Sequence, residues 1–511
     1  MFPVKKLTAF GFLAAAALMS GLTTGCVAEE QADDEASDEA ITMGTRPWDD
    51  QAEAEWASFV QKIGEARASN RCTSVNACLN DASINPLKKP GDGNLNVFAD
   101  CADLPMELRA YFAAKTGRPF QFVSAAEANE GADVRYGKGI HPVAFRDMRE
   151  FPTLQGLMSG VSASVHSGMF RMAGDVEATD TYPIDVTKDS VKPGVVFYDP
   201  NGHVLIVYKV EADGTVRLMD GHPDNSLTFG ILSEKFAVGG AAQGGGFRKF
   251  RPIAFDGRAF TRTPNARLTG SKYAWSATAQ YGKGRGYYDW VRERLSNGAP
   301  MQPEQQFKEL TTQLCSDLGD RATSVAGAAR VANGPLGVVP PNIYGASGEW
   351  EELSTPSRDA RLKASFRGIA TFIKETRTLV DQRSNKIAFA GSSAQLTAKY
   401  KEIWGGLAAS CKITYKNSAG ASVTLTLADV ETRLFDLSFD PYHCVEMRWG
   451  AHPSKTAEMA SCRTSAAHMQ RFADERKQRN AIDREYGAPT PFSWGPEQPE
   501  DVNVSKLLRS L

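Results

Sequence analysis

The chain lacks a dominant charge. Its 58 Lys and Arg residues nearly balance 60 Asp and Glu, for a net charge of -2. No basic face follows from such a balance, so no nucleic-acid partner is expected. Long apolar runs are also missing. The longest, Leu7 to Leu22, falls short of the roughly 20 residues that a comfortable bilayer span needs. No HExxH, Walker A loop or dinucleotide glycine fingerprint occurs, which removes the zinc, nucleotide and nicotinamide chemistries that short motifs announce. Histidine is scarce, with seven in the chain. His443, Cys444, His452, Cys462 and His468 cluster late, but their spacing matches no compact zinc pattern. A disulfide with incidental histidines is the expectation there, with no metal and no cofactor. No internal repeat is visible. What the chain does have is length: 511 residues exceed one core, so two domains are the default.

The N-terminus reads as an export signal over residues 1–26. Lys5 and Lys6 precede the short apolar run, which ends in Leu22-Thr23-Thr24-Gly25-Cys26. This resembles a bacterial lipoprotein signal, with Thr23 where Leu is usual and Leu22 one place early. The resemblance implies lipidation of Cys26, which would anchor the chain to a membrane of the cell envelope without spanning it. Ordinary cleavage nearby is the alternative and leaves a secreted protein. From Val27 to Ala40 the chain is acidic and has no large apolar residue after Val27. A disordered tether is expected over 27–48.

An exported chain with eight cysteines should hold disulfides. Cys72 and Cys78 bracket the short loop CTSVNAC and could pair locally. Cys444 and Cys462 flank a loop with Gly and Pro, and Cys315 and Cys411 remain in the C-terminal half. Setting Cys26 aside leaves an odd number, and Cys101 is the one left over. If Cys26 is not lipidated the count is even and the parity argument weakens.

Along the chain, Asp50 to Ser69 has a helical apolar stripe in Trp56, Phe59, Val60 and Ile63. A second helix starts near Cys101. Pro105 suits its first turn, Leu104, Leu108, Tyr111 and Phe112 recur at helical spacing, and Gly117 ends it. A strand follows at Phe120–Val123. Val195–Tyr198, a DPNG turn, His203–Val210, an Asp213-Gly214 turn and Thr215–Met219 form a meander. One domain is expected over 49–265. From about 270 to 511 helical periodicity dominates, at 287–332, 356–382, 393–408 and 454–486, with Val423–Leu427 as a strand. This second, mostly helical domain has no role readable from its residues.

A thiol nucleophile needs a lowered pKa, a base and a group that orients the base. A helix N-terminus would favour the thiolate of Cys101. His203 opens a strand and can act as base. Opposed residues of a hairpin share a face, which brings Asp220 and His222 to the side of His203. Either can orient its imidazole, Asp220 ranking first. Leu205 and Val207 share that face, so it is expected to meet the Cys101 helix. Asn96 is a candidate oxyanion-hole donor, against a loop-structuring alternative. His141 and His166 have no evident partner.

The order of cysteine helix, histidine strand and polar residue on the next strand resembles the papain-like thiol hydrolases of bacterial cell walls. Asp100-Cys101 followed by a helix resembles the NlpC-type peptidases. PGVVFYDPNGHVLIVYKVEADGTVRLMDGH is similar to those and to the CHAP amidohydrolases. The resemblance covers about residues 90–255. It implies an α+β fold with a papain-like core, and a hydrolase that cleaves amide bonds at the cell envelope, with peptidoglycan peptide as the substrate. The separation of Cys101 from His203 implies an insertion around 125–190. Ala102-Asp103 stands where Ser-Gly is usual. CADLPMELRAYFAAKTGRPFQFVS also resembles the transglutaminase-like core, which would imply acyl transfer. A reading from another class is a non-catalytic envelope binding or assembly lipoprotein on a degenerate papain-like scaffold.

Overall fold

Helical caps and apolar stripes set the first layer. In the computed structural model, which describes residues 39–41, 43–131, 133–222, 225–344, 348–451, 456–482 and 495–511, Asp49 caps α1 (Asp50–Ala68) by accepting from the Ala52 N–H. Trp56, Phe59, Val60 and Ile63 form its buried stripe. The Cys72–Cys78 disulfide ties the chain to the short α2 (Val75–Asn80). α3 (Asp103–Thr116) ends at Gly117, whose φ of 68° closes it in the left-handed region.

Two strands, β1 (Gln121–Glu127) and β2 (His141–Asp147), pair as an antiparallel hairpin, and α4 (Leu154–Ser162) follows. Residues 125–190 thus hold β2, α4 and β3 (Thr181–Pro183). The meander comes next as β4 (Val196–Asp199), β5 (His203–Val210), β6 (Val216–Gly221) and β7 (Leu227–Ile231), and then β8 (Gly246–Phe250). These make one six-stranded sheet in the order β3-β8-β4-β5-β6-β7, with every neighbour antiparallel. A small pair, β9 (Ile253–Phe255) and β10 (Phe260–Arg262), follows. The rest is mostly helical: α5 (Tyr287–Ser296), α6 (Pro303–Gly327), α7 (Glu349–Leu353), α8 (Pro356–Asp381) and α9 (Ser393–Ser410), then the hairpin of β11 (Lys412–Lys416) and β12 (Ser422–Thr426) and further short helices. The fold is α+β with antiparallel sheets.

Both faces of the large sheet are covered. Val204, Ile206 and Met219 join the α1 and α3 residues in one core, while Leu205, Val207 and Leu218 join Phe236, Tyr287, Val291 and Leu295 in another. This corrects one expectation. The face shared by His203, Leu205 and Val207 meets α5, not the Cys101 helix. The first six residues of β5 are all buried, so its side-chain pattern does not show which face a given helix covers.

No break falls at 265–270: the described residues on either side belong to one compact unit. Ion pairs join the halves, among them Lys235 to Asp317 at 2.9 Å and Arg367 to Glu234 at 3.2 Å. A third core lies among the helices, with Phe307, Leu314, Phe366, Ile369, Tyr400 and Trp404. The expected tether also stops short of residue 48. Glu39 pairs with Lys115, Ala40 bridges to Thr153, and Trp48 stacks on Phe112 at 5.8 Å. Buried aromatic area holds this segment down. The expected signal segment, Cys26 and residues 27–38 lie outside the described residues.

Candidate active site

Two glycines shape the end of the sheet. The turn from Asp199 to Gly202 joins β4 to β5, and Gly202 adopts φ 93° there while its N–H donates to the Asp199 carbonyl at 2.9 Å. Gly221 ends β6. A Cβ at Gly221 would lie 2.7 Å from the carbonyl oxygens of both Ala99 and Asp100. Only glycine lets the loop before α3 cross the strand end this closely. The result is a cavity of about 150 Å³ lined by Cys101, His203 and His222.

The polar network runs sideways along the strands. His203 Nε2 lies 2.9 Å from Asp220 Oδ2. Asp220 and Thr228 stand opposite each other in the β6–β7 register, and the Thr228 hydroxyl donates to Asp220 Oδ1 at 2.6 Å. His222 Nε2 reaches Thr228 Oγ1 at 3.0 Å and Asp220 Oδ2 at 3.3 Å. Asp220 therefore sits between the two imidazoles and is the direct partner of His203. Phe236 stacks on the His203 ring, with centroids 6.2 Å apart. Burial alone would raise the Asp220 carboxyl, but the two imidazoles and the Thr228 hydroxyl outweigh it and hold it well below the usual range. Burial lowers His203, and the charge of Arg361 adds to that; His222 is lowered to about 4, chiefly by burial. Both imidazoles are thus neutral at neutral pH. With Nε2 engaged by Asp220, proton exchange on His203 falls to Nδ1.

Cys101 is half-buried and is the one free cysteine among the described residues. The other six described cysteines pair as Cys72–Cys78, Cys315–Cys411 and Cys444–Cys462. Its sulfur lies 3.9 Å from the Gly202 carbonyl oxygen and accepts from the Val204 N–H. The sulfur thus touches the backbone on both sides of His203, while the imidazole binds Asp220. The expected lowering of the thiol pKa is not found. Cys101 precedes the helix, whose start is held by acids. Asp100 Oδ1 accepts from the N–H groups of Ala102 and Asp103 at 2.8 and 3.0 Å. Burial and the Asp100 charge push the thiol well up, against the opposing pull of the Val204 N–H. Asp103 is pushed up to about 8 by burial and by Asp100. One turn on, Glu107 is raised as well by burial, and neither of its carboxyl oxygens has a hydrogen-bond partner. Burial and the Asp100 charge offset the helix dipole that would otherwise favour the thiolate.

Other candidates lie elsewhere. Asn96 is exposed, and its backbone N–H and carbonyl both bind the Gln155 side chain, at 2.8 Å each. It organises a loop and does not line the cavity. His141 Nδ1 meets the Gly139 carbonyl at 3.1 Å, and His166 Nδ1 is buried without a partner. Late in the chain, Cys444 and Cys462 are bonded to each other and offer no thiolate. His443 uses both ring nitrogens, with Ser438 Oγ at 2.6 Å and the His468 carbonyl at 3.1 Å. Asp440 and Glu475 converge on His443, but Arg471 pairs with Asp440 at 3.2 Å. His452 lies outside the described residues.

Sequence reasoning missed Thr228, Phe236, Arg358 and Arg361. Thr228 was recoverable: β7 pairs with β6 in a register that sets it opposite Asp220. The two arginines enter from α8, more than a hundred positions from His203, and no local pattern joins them to it. No family model, curated protein or solved structure matches this chain.

Proposed function

We propose that the protein is a cysteine hydrolase acting on amide bonds, with peptidoglycan peptide at the cell envelope as its substrate. The observation that carries this reading is the His203–Asp220 hydrogen bond of 2.9 Å beside a cavity shared with the free thiol of Cys101. The helix that follows Cys101, packed on an antiparallel sheet whose histidine opens a strand, supports a papain-like core. Export and a lipid anchor at Cys26 complete the proposal.

In this mechanism His203 Nδ1 removes the thiol proton as the sulfur attacks the carbonyl carbon. The imidazolium then protonates the departing amine, leaving a thioester. Water, deprotonated by the same imidazole, attacks the thioester, and the proton returns to the thiolate. Asp220 holds the imidazole in its tautomer and stabilises the imidazolium. A raised thiol and a lowered imidazole make the resting pair neutral. Deprotonation then accompanies attack. Cys101→Ala should abolish release of peptide from peptidoglycan fragments while leaving the fold intact. Full turnover in that variant would sink the proposal.

One observation favours a second reading, a non-catalytic envelope-binding protein: the thiol is raised and contacts backbone instead of the imidazole. Saturable peptidoglycan binding without cleavage by the wild-type chain would establish that reading. Acyl transfer is separated from hydrolysis by adding a primary amine and looking for it in the product.

A further inference from the structure

The cavity of Cys101 and His203 has a wall that the hydrolase mechanism leaves unused. α8 starts there, and Ser357, Arg358 and Arg361 from its first turns line the space. The two arginines, three apart on a helix, point to the same side. They also line the adjoining space behind the imidazoles, with Asp220 and Asp320. The positive end of the 26-residue α8 adds to the field of the guanidiniums.

The carboxylates facing these spaces are mostly committed. Asp220 serves the imidazoles and Thr228, and Lys235 pairs with Asp317 at 2.9 Å. Glu351 faces Arg135 at 3.8 Å, and Asp100 caps the start of α3. Asp320 is raised to about 6, first by burial and then by Asp317 and Asp220, while Lys235 and Arg358 pull it down. Among the described residues Arg358 has no ion pair within 4.0 Å. Both arginines add to the burial that lowers His222. Their charge therefore reaches the reacting end of the cavity.

We infer that Arg358 and Arg361 form a carboxylate-binding subsite beside Cys101, so that the substrate is a peptide carrying a negative charge next to the bond cleaved. The inference rests on Cys101 being the reacting group, and its test separates the two. Purified protein is alkylated with neutral iodoacetamide and, in parallel, with anionic iodoacetate. Modification of Cys101 is followed by peptide mass spectrometry.

A guanidinium pair that binds carboxylate should favour iodoacetate. In the double variant R358Q/R361Q the iodoacetate-to-iodoacetamide rate ratio should fall by about tenfold, with the iodoacetamide rate unchanged. R358K/R361K keeps the charge and should keep most of the preference. A misfolded variant would betray itself by a rise in both rates, and the lysine pair then decides against the single variants R358Q and R361Q. An unchanged ratio overturns the subsite. So does failure of both reagents to reach Cys101 in the folded protein, because a closed cavity seats no substrate. If the ratio falls but peptides are not cleaved, the subsite stands and the hydrolase reading fails. If peptides are cleaved with the ratio unchanged, the reverse holds.

Discussion

Asp103 and Glu107 are buried acids one turn apart, at the base of the loop that carries Cys101. Both are held protonated by burial, Asp103 with a pKa of about 8. In the unfolded chain a carboxyl loses its proton near pH 4. Between roughly pH 4 and 8 the unfolded state therefore binds fewer protons than the folded one, and Asp103 lowers stability as pH rises through that window. The slope for one proton is about 1.4 kcal/mol per pH unit. Asp103→Asn should remove that dependence, raising the denaturant midpoint at pH 7.5 more than at pH 4.5. Glu107→Met removes a carboxyl with two unpartnered oxygens, and should stabilise by about 1–3 kcal/mol at neutral pH. A lower midpoint in both variants would show that the acids are satisfied. At the candidate site, Asp220→Asn should cut kcat by on the order of 10³-fold or more, by analogy with a triad that loses its tautomer control. His222→Gln, at the more distant of the two imidazoles on Asp220 Oδ2, should cost less than about tenfold. Equal losses would make His222 as important as Asp220.

At the scale of elements, the close approach at Gly221 is the most exposed to test. Gly221→Ala must push the Ala99–Asp100 backbone off the end of β6, since 2.7 Å is shorter than any Cβ contact allows. A cost of about 1–3 kcal/mol is expected, measured by urea unfolding, together with faster alkylation of Cys101 by iodoacetamide. The elements themselves were largely legible. α1, α3 and the β4–β5–β6 meander followed from apolar spacing, Gly117, the DPNG turn and the Asp-Gly turn. The pairing of His203 with Asp220 was legible for the same reason, because turn geometry fixes which strand residues oppose one another. The facing of the sheet was not. Residues 203–208 are buried on alternate sides in two cores, and an unbroken apolar run is the same whichever helix lies on either side. The thiol pKa was misjudged because what opposes the dipole is the burial of the sulfur together with the neighbouring Asp100 charge, and burial cannot be read from the helix pattern.

For the whole molecule, the absence of a break at 265–270 means the two halves should not be separable. A chain ending at residue 269 loses α5, whose Tyr287, Val291 and Leu295 cover the Leu205 face of the sheet, and exposes a large apolar patch. Such a fragment should aggregate or remain unfolded, as judged by gel filtration and near-UV circular dichroism. A soluble cooperative fragment would show that the helical half only leans on the sheet. Of the disulfides, Cys315–Cys411 closes the longest stretch, 96 residues, against 6 for Cys72–Cys78. Its loss as Cys315→Ser/Cys411→Ser should cost about 4–5 kcal/mol if loop entropy governs. Loss of the short loop should cost less. The covered sheet also sets a clock. β5 and β6 are interior strands with helices over both faces, so no local opening brings their amides to solvent. Their hydrogens should exchange only when the whole unit unfolds, while the small β9–β10 pair, with Ile253, Ala254 and Phe255 half-buried or exposed, exchanges early. The candidate base His203 thus sits on the slowest-exchanging part of the chain, and Cys101 on a loop that can loosen without it.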